Sequence, residues 1–342
     1  MPVQSRRNRD KDEGRIMGTM QRAADAQRSL KPRRLVPQKT LRSAVHCTGV
    51  GLHSGAKVTM TLKPAEPNAG ISFVRTDLGG VMISARWDHV VDTRMCTVVG
   101  NDDGVTIGTV EHLMAALAGL NVDNAVVEVD GPELPVMDGS SGPFVFLIEC
   151  AGLLEQACAR RAIRVLEPVT ASGNGWAVAL TPGSGFSVDV EIDYGRSVVG
   201  NQALAIDLVN GTFKKELARA RTFGFLDEVE ELRAAGLARG GSLDNAVVIS
   251  GDRILNEEGL RYEDEFVRHK ALDAIGDLYL AGGPIIGHFH GTRSGHAANN
   301  RLLRAMFAQP GSWTWDTMCR SDDGLAVFDR ARQADFVPAL AG

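Results

Sequence analysis

Two short segments far apart in the chain, Thr109-Val-Glu-His112 and Arg268-His-Lys-Ala-Leu-Asp273, carry residue types that together suit one catalytic metal. His269 and Asp273 stand four residues apart in a strongly helical run, so both side chains leave the same face. His112 supplies a second imidazole, directly beside the carboxylate of Glu111. Two histidines and one carboxylate are the ligand set of an open catalytic zinc, with water in the fourth position. Glu111 is then left over as a base for that water. Asp277 continues the helical stripe by another turn, and Ser294-Gly-His296 displays a further imidazole in a Gly-rich loop. A His296 held and kept protonated by Asp277 would serve as electrophile or general acid. Plainer accounts exist for each pair. Residues 263–270 are dense in charge, as a solvated helix side would be, and a Glu-His dipeptide often does no more than cap a helix.

The elements that must position these residues are legible in the apolar pattern. Val58-Thr-Met-Thr-Leu62, Asn124 to Val129, Trp176 to Leu180 and Phe186 to Ile192 alternate as half-buried strands do. Thr109 to Leu120 carries an i, i+3/i+4 stripe with Thr109 as its expected N-cap, although strand continuation fits Thr109 equally well. A long helix is expected over Glu263 to Ala281, stopped by Gly282-Gly283-Pro284. Ile285 to His290 reads as a buried strand, on which His288 and His290 alternate, and Asn299 to Phe307 as a further helix. Each half thus has strands around one principal helix bearing a metal motif, with a boundary near Gln156 to Arg161. The expected class is α+β: two similar two-layer α/β-sandwich domains with the site between them, over residues 38–158 and 159–342.

Composition bounds the rest. The chain has 342 residues and a formal net charge of −5, which argues against a general nucleic-acid partner. Its five cysteines form no C-x-x-C pair and are odd in number, as in a reducing compartment. No run approaches a transmembrane helix and the N-terminus lacks the apolar core of a signal peptide, so a cytoplasmic, monomeric protein is expected. Residues 1–37 are Arg- and Lys-rich and read as a disordered basic extension. His53 lies in a Gly-rich loop read as a tight inter-strand turn with at most a minor site role, and Asp138-Gly139 reads as a turn.

With these motifs assembled, the chain resembles the UDP-3-O-acyl-N-acetylglucosamine deacetylases, zinc enzymes of early lipid A synthesis. The matching stretches include Thr48-Gly-Val-Gly-Leu-His-Ser-Gly55, Thr109-Val-Glu-His112, Pro135-Val-Met-Asp-Gly-Ser140, Ala220-Arg-Thr-Phe-Gly-Phe225, Gly240-Gly-Ser-Leu-Asp-Asn245, Phe266-Val-Arg-His-Lys270 and Ser294-Gly-His296. The resemblance implies two domains of shared βα topology, each with a small insert. It implies zinc on His112, His269 and Asp273, with iron able to occupy the same ligands, Glu111 as base and His296 as cationic acid. It further implies that Thr222 hydrogen-bonds the tetrahedral intermediate and that Lys270 meets the nucleotide diphosphate. An insert over about 220–248, with a short helix at Leu226 to Gly236, would form an apolar acyl passage lined by Phe223 and its neighbours. The substrate would be an acylated UDP-sugar. Two rivals remain: a zinc amidase for another acylated substrate, and a binding protein with a structural zinc between domains. Structural zinc is normally cysteine-rich, and no cysteine adjoins these motifs.

Overall fold

The computed structural model describes residues 34–320, except 196 and 210, together with strand Ala326–Asp329. The first half is built on a five-stranded sheet of β1 (Val45–Val50), β2 (Lys57–Pro64), β3 (Ile71–Arg75), β4 (Val81–Ser84) and β5 (Ala125–Val129). The spatial order is β1-β2-β5-β3-β4, with β5 antiparallel to β2 and parallel to β3. Alternation works as expected: Val58, Met60 and Leu62 of β2 and Ala125, Val127 and Val129 of β5 are all buried. Two helices accompany this sheet, α1 (Glu111–Gly119) and α2 (Gly142–Ala151), and α2 packs on β1. A small three-stranded sheet of Val90–Asp92, Val98–Gly100 and Thr106–Ile107 forms the insert of this half.

The second half has a nine-stranded sheet whose central strand is Ile285–Thr292. That strand runs parallel to Phe186–Asp193 and antiparallel to Trp176–Thr181, and its first residues pair in parallel with Arg161–Val165. The second insert is a sheet of Phe223–Phe225, Val247–Ser250 and Arg253–Ile254 with helix α3 (Leu226–Ala234). Helix α4 (Glu265–Tyr279) packs on strands Phe186–Asp193 and Asn201–Asp207, while α5 (His296–Phe307) covers Val169–Gly173 and Trp176–Thr181. The two halves meet through α1 against α4, which therefore has apolar neighbours on almost every side. Its buried charges must then find partners inside the protein. Tyr279 at the end of α4 donates to the Val122 carbonyl at 2.7 Å, and Arg160 at the crossover donates to Asp123 at 2.7 Å.

Several expectations need correction. Thr109 is not an N-cap: its φ is +57°, α1 begins at Glu111 with Val110 before it, and the Thr109 hydroxyl donates to Glu133 instead. Helix α2 was not expected, whereas the further helix of the second half, α5, was. Helix α5 starts at His296 rather than Asn299, and the second insert runs on to Ile254, past the expected edge at 248. The inner end of the basic stretch expected to be disordered is part of the fold. Arg34–Leu35 is already a strand, antiparallel to Trp313–Arg320, and Pro37–Leu41 pairs with Leu153–Ala159. The remainder of that extension, 1–33, lies outside the described residues. The five cysteines form no disulfide, and no helix among the described residues is long and apolar enough to cross a membrane.

Candidate metal centre and active site

Helix α4 turns His269, Asp273 and Asp277 toward α1, whose first turn offers Glu111 and His112. His269 Nε2 lies 3.3 Å and His112 Nε2 3.6 Å from Asp273 Oδ1. Ligand atoms of the three residues all fall within 4.8 Å of one another, and all three side chains are buried. The donor set fits a divalent cation. Among the described residues Asp273 Oδ1 finds no hydrogen-bond partner, although it is buried and faces both imidazoles. His269 Nδ1 donates to the Ala220 carbonyl at 3.0 Å, which leaves Nε2 as the lone-pair nitrogen toward the cluster. Burial pushes His269 down to about 4, so the imidazole is neutral, as a ligand must be. Burial works to raise Asp273, but His269 and Lys270 outweigh it and hold the carboxyl well below its ordinary value.

Glu111, His296 and Asp277 lie beside this trio. His296 Nδ1 donates to Asp277 Oδ2 at 2.9 Å, and its Nε2 lies 3.9 Å from Glu111 Oε1. Burial disfavours the imidazolium, yet Asp277 and then Glu111 more than offset this and raise His296 to about 9. Burial, its largest influence, raises Glu111 above the usual carboxylate range. Asp277 also accepts from Thr97 Oγ1 at 2.5 Å and from Asn299 Nδ2 at 2.8 Å, and Glu111 Oε2 accepts from the Thr97 backbone at 3.0 Å. Thr97 and Asn299 escaped the sequence reading. The Asp92-to-Thr97 stretch offers no local sign of a task, because Asp277 is 180 residues away.

Glu111, His112, His269, Asp273 and His296 line a cavity of about 830 Å³. Thr222, Phe223 and Lys270 line it, as does His53, whose buried Nε2 has no hydrogen-bond partner among the described residues. His53 does sit in an inter-strand turn, pinned by Glu133, which accepts from the His53 and Ser54 backbones at 2.9 and 2.8 Å. Phe223 packs edge-on against Phe266 and stands at the junction of the cluster and the insert, with Lys270 Nζ 5.7 Å from its ring centre. Lys270 also donates to Asp273 at 3.1 Å; burial works to lower the lysine, but Asp273 and Tyr194 together more than offset this and raise it. The second insert lines the same cavity with apolar Phe225, Leu226, Val229, Leu232 and Leu243, beside the charged Glu228 and Arg233. Trp176, Tyr194 and Arg293 add aromatic and cationic surface that the motifs did not single out. Asp138-Gly139 is the expected turn, with Gly139 at φ +82°, where a Cβ would fall 2.1 Å from the Asn245 carbonyl oxygen.

The family model for UDP-3-O-acyl N-acetylglycosamine deacetylase matches residues 38–308. The chain is 54% identical over 283 residues to the UDP-3-O-acyl-N-acetylglucosamine deacetylase of Acidithiobacillus ferrooxidans, covering 82% of this chain and 92% of that one. It is 53% identical to the protein of that name from Shewanella halifaxensis, with the same coverage. With that of Idiomarina loihiensis it shares 51% over 287 residues, 83% of this chain and 94% of that one. By motif, fold and these matches along most of its length, the chain belongs to the UDP-3-O-acyl-N-acetylglucosamine deacetylase family.

Proposed function

We propose that this chain is a zinc-dependent hydrolase that removes the N-acetyl group of UDP-3-O-acyl-N-acetylglucosamine, an early committed step of lipid A biosynthesis. The products are acetate and UDP-3-O-acyl-glucosamine. One observation carries the reading: the buried His112, His269 and Asp273 set lies beside both Glu111 and the His296–Asp277 pair, in a cavity that apolar side chains of the second insert also line.

A zinc ion in that set would polarise the acetamide carbonyl and bring the pKa of a water molecule toward neutrality. Glu111 takes the proton of the attacking water, since its Oε1 faces the cluster while Oε2 is held by Thr97. His296, kept cationic by Asp277, and the Thr222 hydroxyl donate to the developing oxyanion, where preorganised charge counts most. The leaving amine takes its proton from His296 or from Glu111, which has just received one. Lys270, Arg293, Trp176 and Tyr194 offer the cations and ring faces that a nucleotide diphosphate requires, and the insert takes the acyl chain.

The acyl reading is tested by comparing acetate release from UDP-3-O-acyl-N-acetylglucosamine and from UDP-N-acetylglucosamine. The acylated substrate should have by far the higher kcat/KM. Equal values would remove the apolar side chains of the second insert from substrate recognition.

A further inference from the structure

We propose that Thr97 is the positioning residue that sets the base and the acid of this site against each other, an inference that rests on the deacetylase reading above. Thr97 is almost wholly buried and spends each of its donors on a different carboxylate. Its backbone N–H goes to Glu111 Oε2 at 3.0 Å and its hydroxyl to Asp277 Oδ1 at 2.5 Å. The remaining oxygens of those carboxylates both face His296, Glu111 Oε1 at 3.9 Å from Nε2 and Asp277 Oδ2 at 2.9 Å from Nδ1. Thr97, Glu111, His296 and Asp277 therefore close a ring around the imidazole. Its members come from the first insert, α1, α5 and α4. The Thr97 carbonyl also accepts from Val110 at 3.3 Å, which fixes the insert against the first turn of α1.

The hydroxyl has a task that no neighbour duplicates. The other donors to Asp277, His296 and Asn299, both use Oδ2. Among the described residues, Oδ1 has Thr97 as its hydrogen-bond donor. Without that hydroxyl a buried carboxylate oxygen is left bare, and the group is held against His296 through Oδ2 alone. Thr97 touches no reacting atom in this scheme. It acts through Asp277, and its removal should slow turnover without weakening substrate binding.

The test is steady-state kinetics on UDP-3-O-acyl-N-acetylglucosamine with the zinc-loaded full chain, comparing Thr97→Val and Thr97→Ser alone and in an Asp277→Asn background. Thr97→Val should lower kcat about ten- to a hundredfold with KM and zinc content unchanged, the scale set by one hydrogen bond to a buried charge. Thr97→Ser, which keeps the hydroxyl, should stay within about threefold of the wild type, and in Asp277→Asn the valine should cost less than about threefold more. Should Thr97→Val not fold, Thr97→Ala set against Thr97→Ser asks the same of the hydroxyl. Wild-type kcat in the variants lacking it, equal impairment of the serine variant, or full additivity with Asp277→Asn would overturn the proposal. Absence of acetate release by the wild type would instead overturn the deacetylase reading, so the two failures are distinct.

Discussion

The backbone of α4 at Gly276 lies directly against the carbonyl oxygen of Glu111 in α1: a Cβ on Gly276 would fall 2.0 Å from that oxygen and 3.1 Å from the Ala115 nitrogen. Both contacts are backbone, so neither can swing aside. Gly276 sits between Asp273 and Asp277, and Glu111 begins the segment that carries His112. The missing side chain thus lets the two halves of the metal set approach to ligand distance.

Gly276→Ala should therefore separate the helices. Overpacking of this kind costs about 1–3 kcal/mol, enough to lower the Tm of a domain by several degrees. Zinc affinity should fall with it, because His112 and the α4 ligands lie on opposite sides of the contact. Calorimetry with metal titration checks both; a variant of unchanged Tm and zinc affinity would show that the helices do not need this approach.

Glu111→Gln keeps the shape of the side chain and removes the base. Zinc content should stay at the wild-type level while kcat drops on the order of a hundred- to ten-thousandfold, the usual weight of general-base catalysis. If metal content falls in step with activity, Glu111 is a ligand and the assignment of roles is wrong.

The pH dependence has a definite sign. In the proposed mechanism turnover needs Glu111 ionised and His296 protonated, so kcat/KM should be bell-shaped, with an alkaline limb set by His296 near 9. Asp277 is the largest influence holding His296 up, and Asp277→Asn should move that limb to lower pH. Stability follows the same linkage. The native value exceeds the ordinary 6.5, so the contribution of His296 to folding is full below 6.5 and is lost as pH rises through about 9. An alkaline limb that stays in place in Asp277→Asn would detach Asp277 from His296.

Leu232 lines the cavity from the helix of the second insert. Leu232→Trp should raise KM for long acyl chains while leaving short-chain turnover near the wild type. An equal loss for every chain length, read from kcat/KM across a chain-length series, would place the acyl group elsewhere.

The long, regular features were legible in the sequence because their periodicity is local. The buried alternation of Val58, Met60 and Leu62, and the i, i+4, i+8 spacing of His269, Asp273 and Asp277, need no knowledge of distant residues. What escaped depends on tertiary placement. Thr97 looks like an ordinary strand-edge threonine until the fold brings Asp277 to its hydroxyl. Thr109 has good N-cap chemistry, but Glu133 captures its hydroxyl and the backbone turns left-handed there. Helix α2 had a readable signal, Pro143 in its first turn and a buried stripe of Phe144, Val145, Ile148 and Ala151, yet its short apolar run suits a buried strand as well.

The most direct test of the account is acetate release from UDP-3-O-acyl-N-acetylglucosamine by the full chain before chelation, after it, and after zinc is restored, with circular dichroism recorded at each stage. Ligands set within the shared core of two large sheets should leave the fold intact when the metal is withdrawn. The expected result is activity lost with chelator, an unchanged spectrum, and activity regained with zinc. Acetate release that persists without metal, or loss of activity only in step with unfolding, would contradict a catalytic zinc at His112, His269 and Asp273.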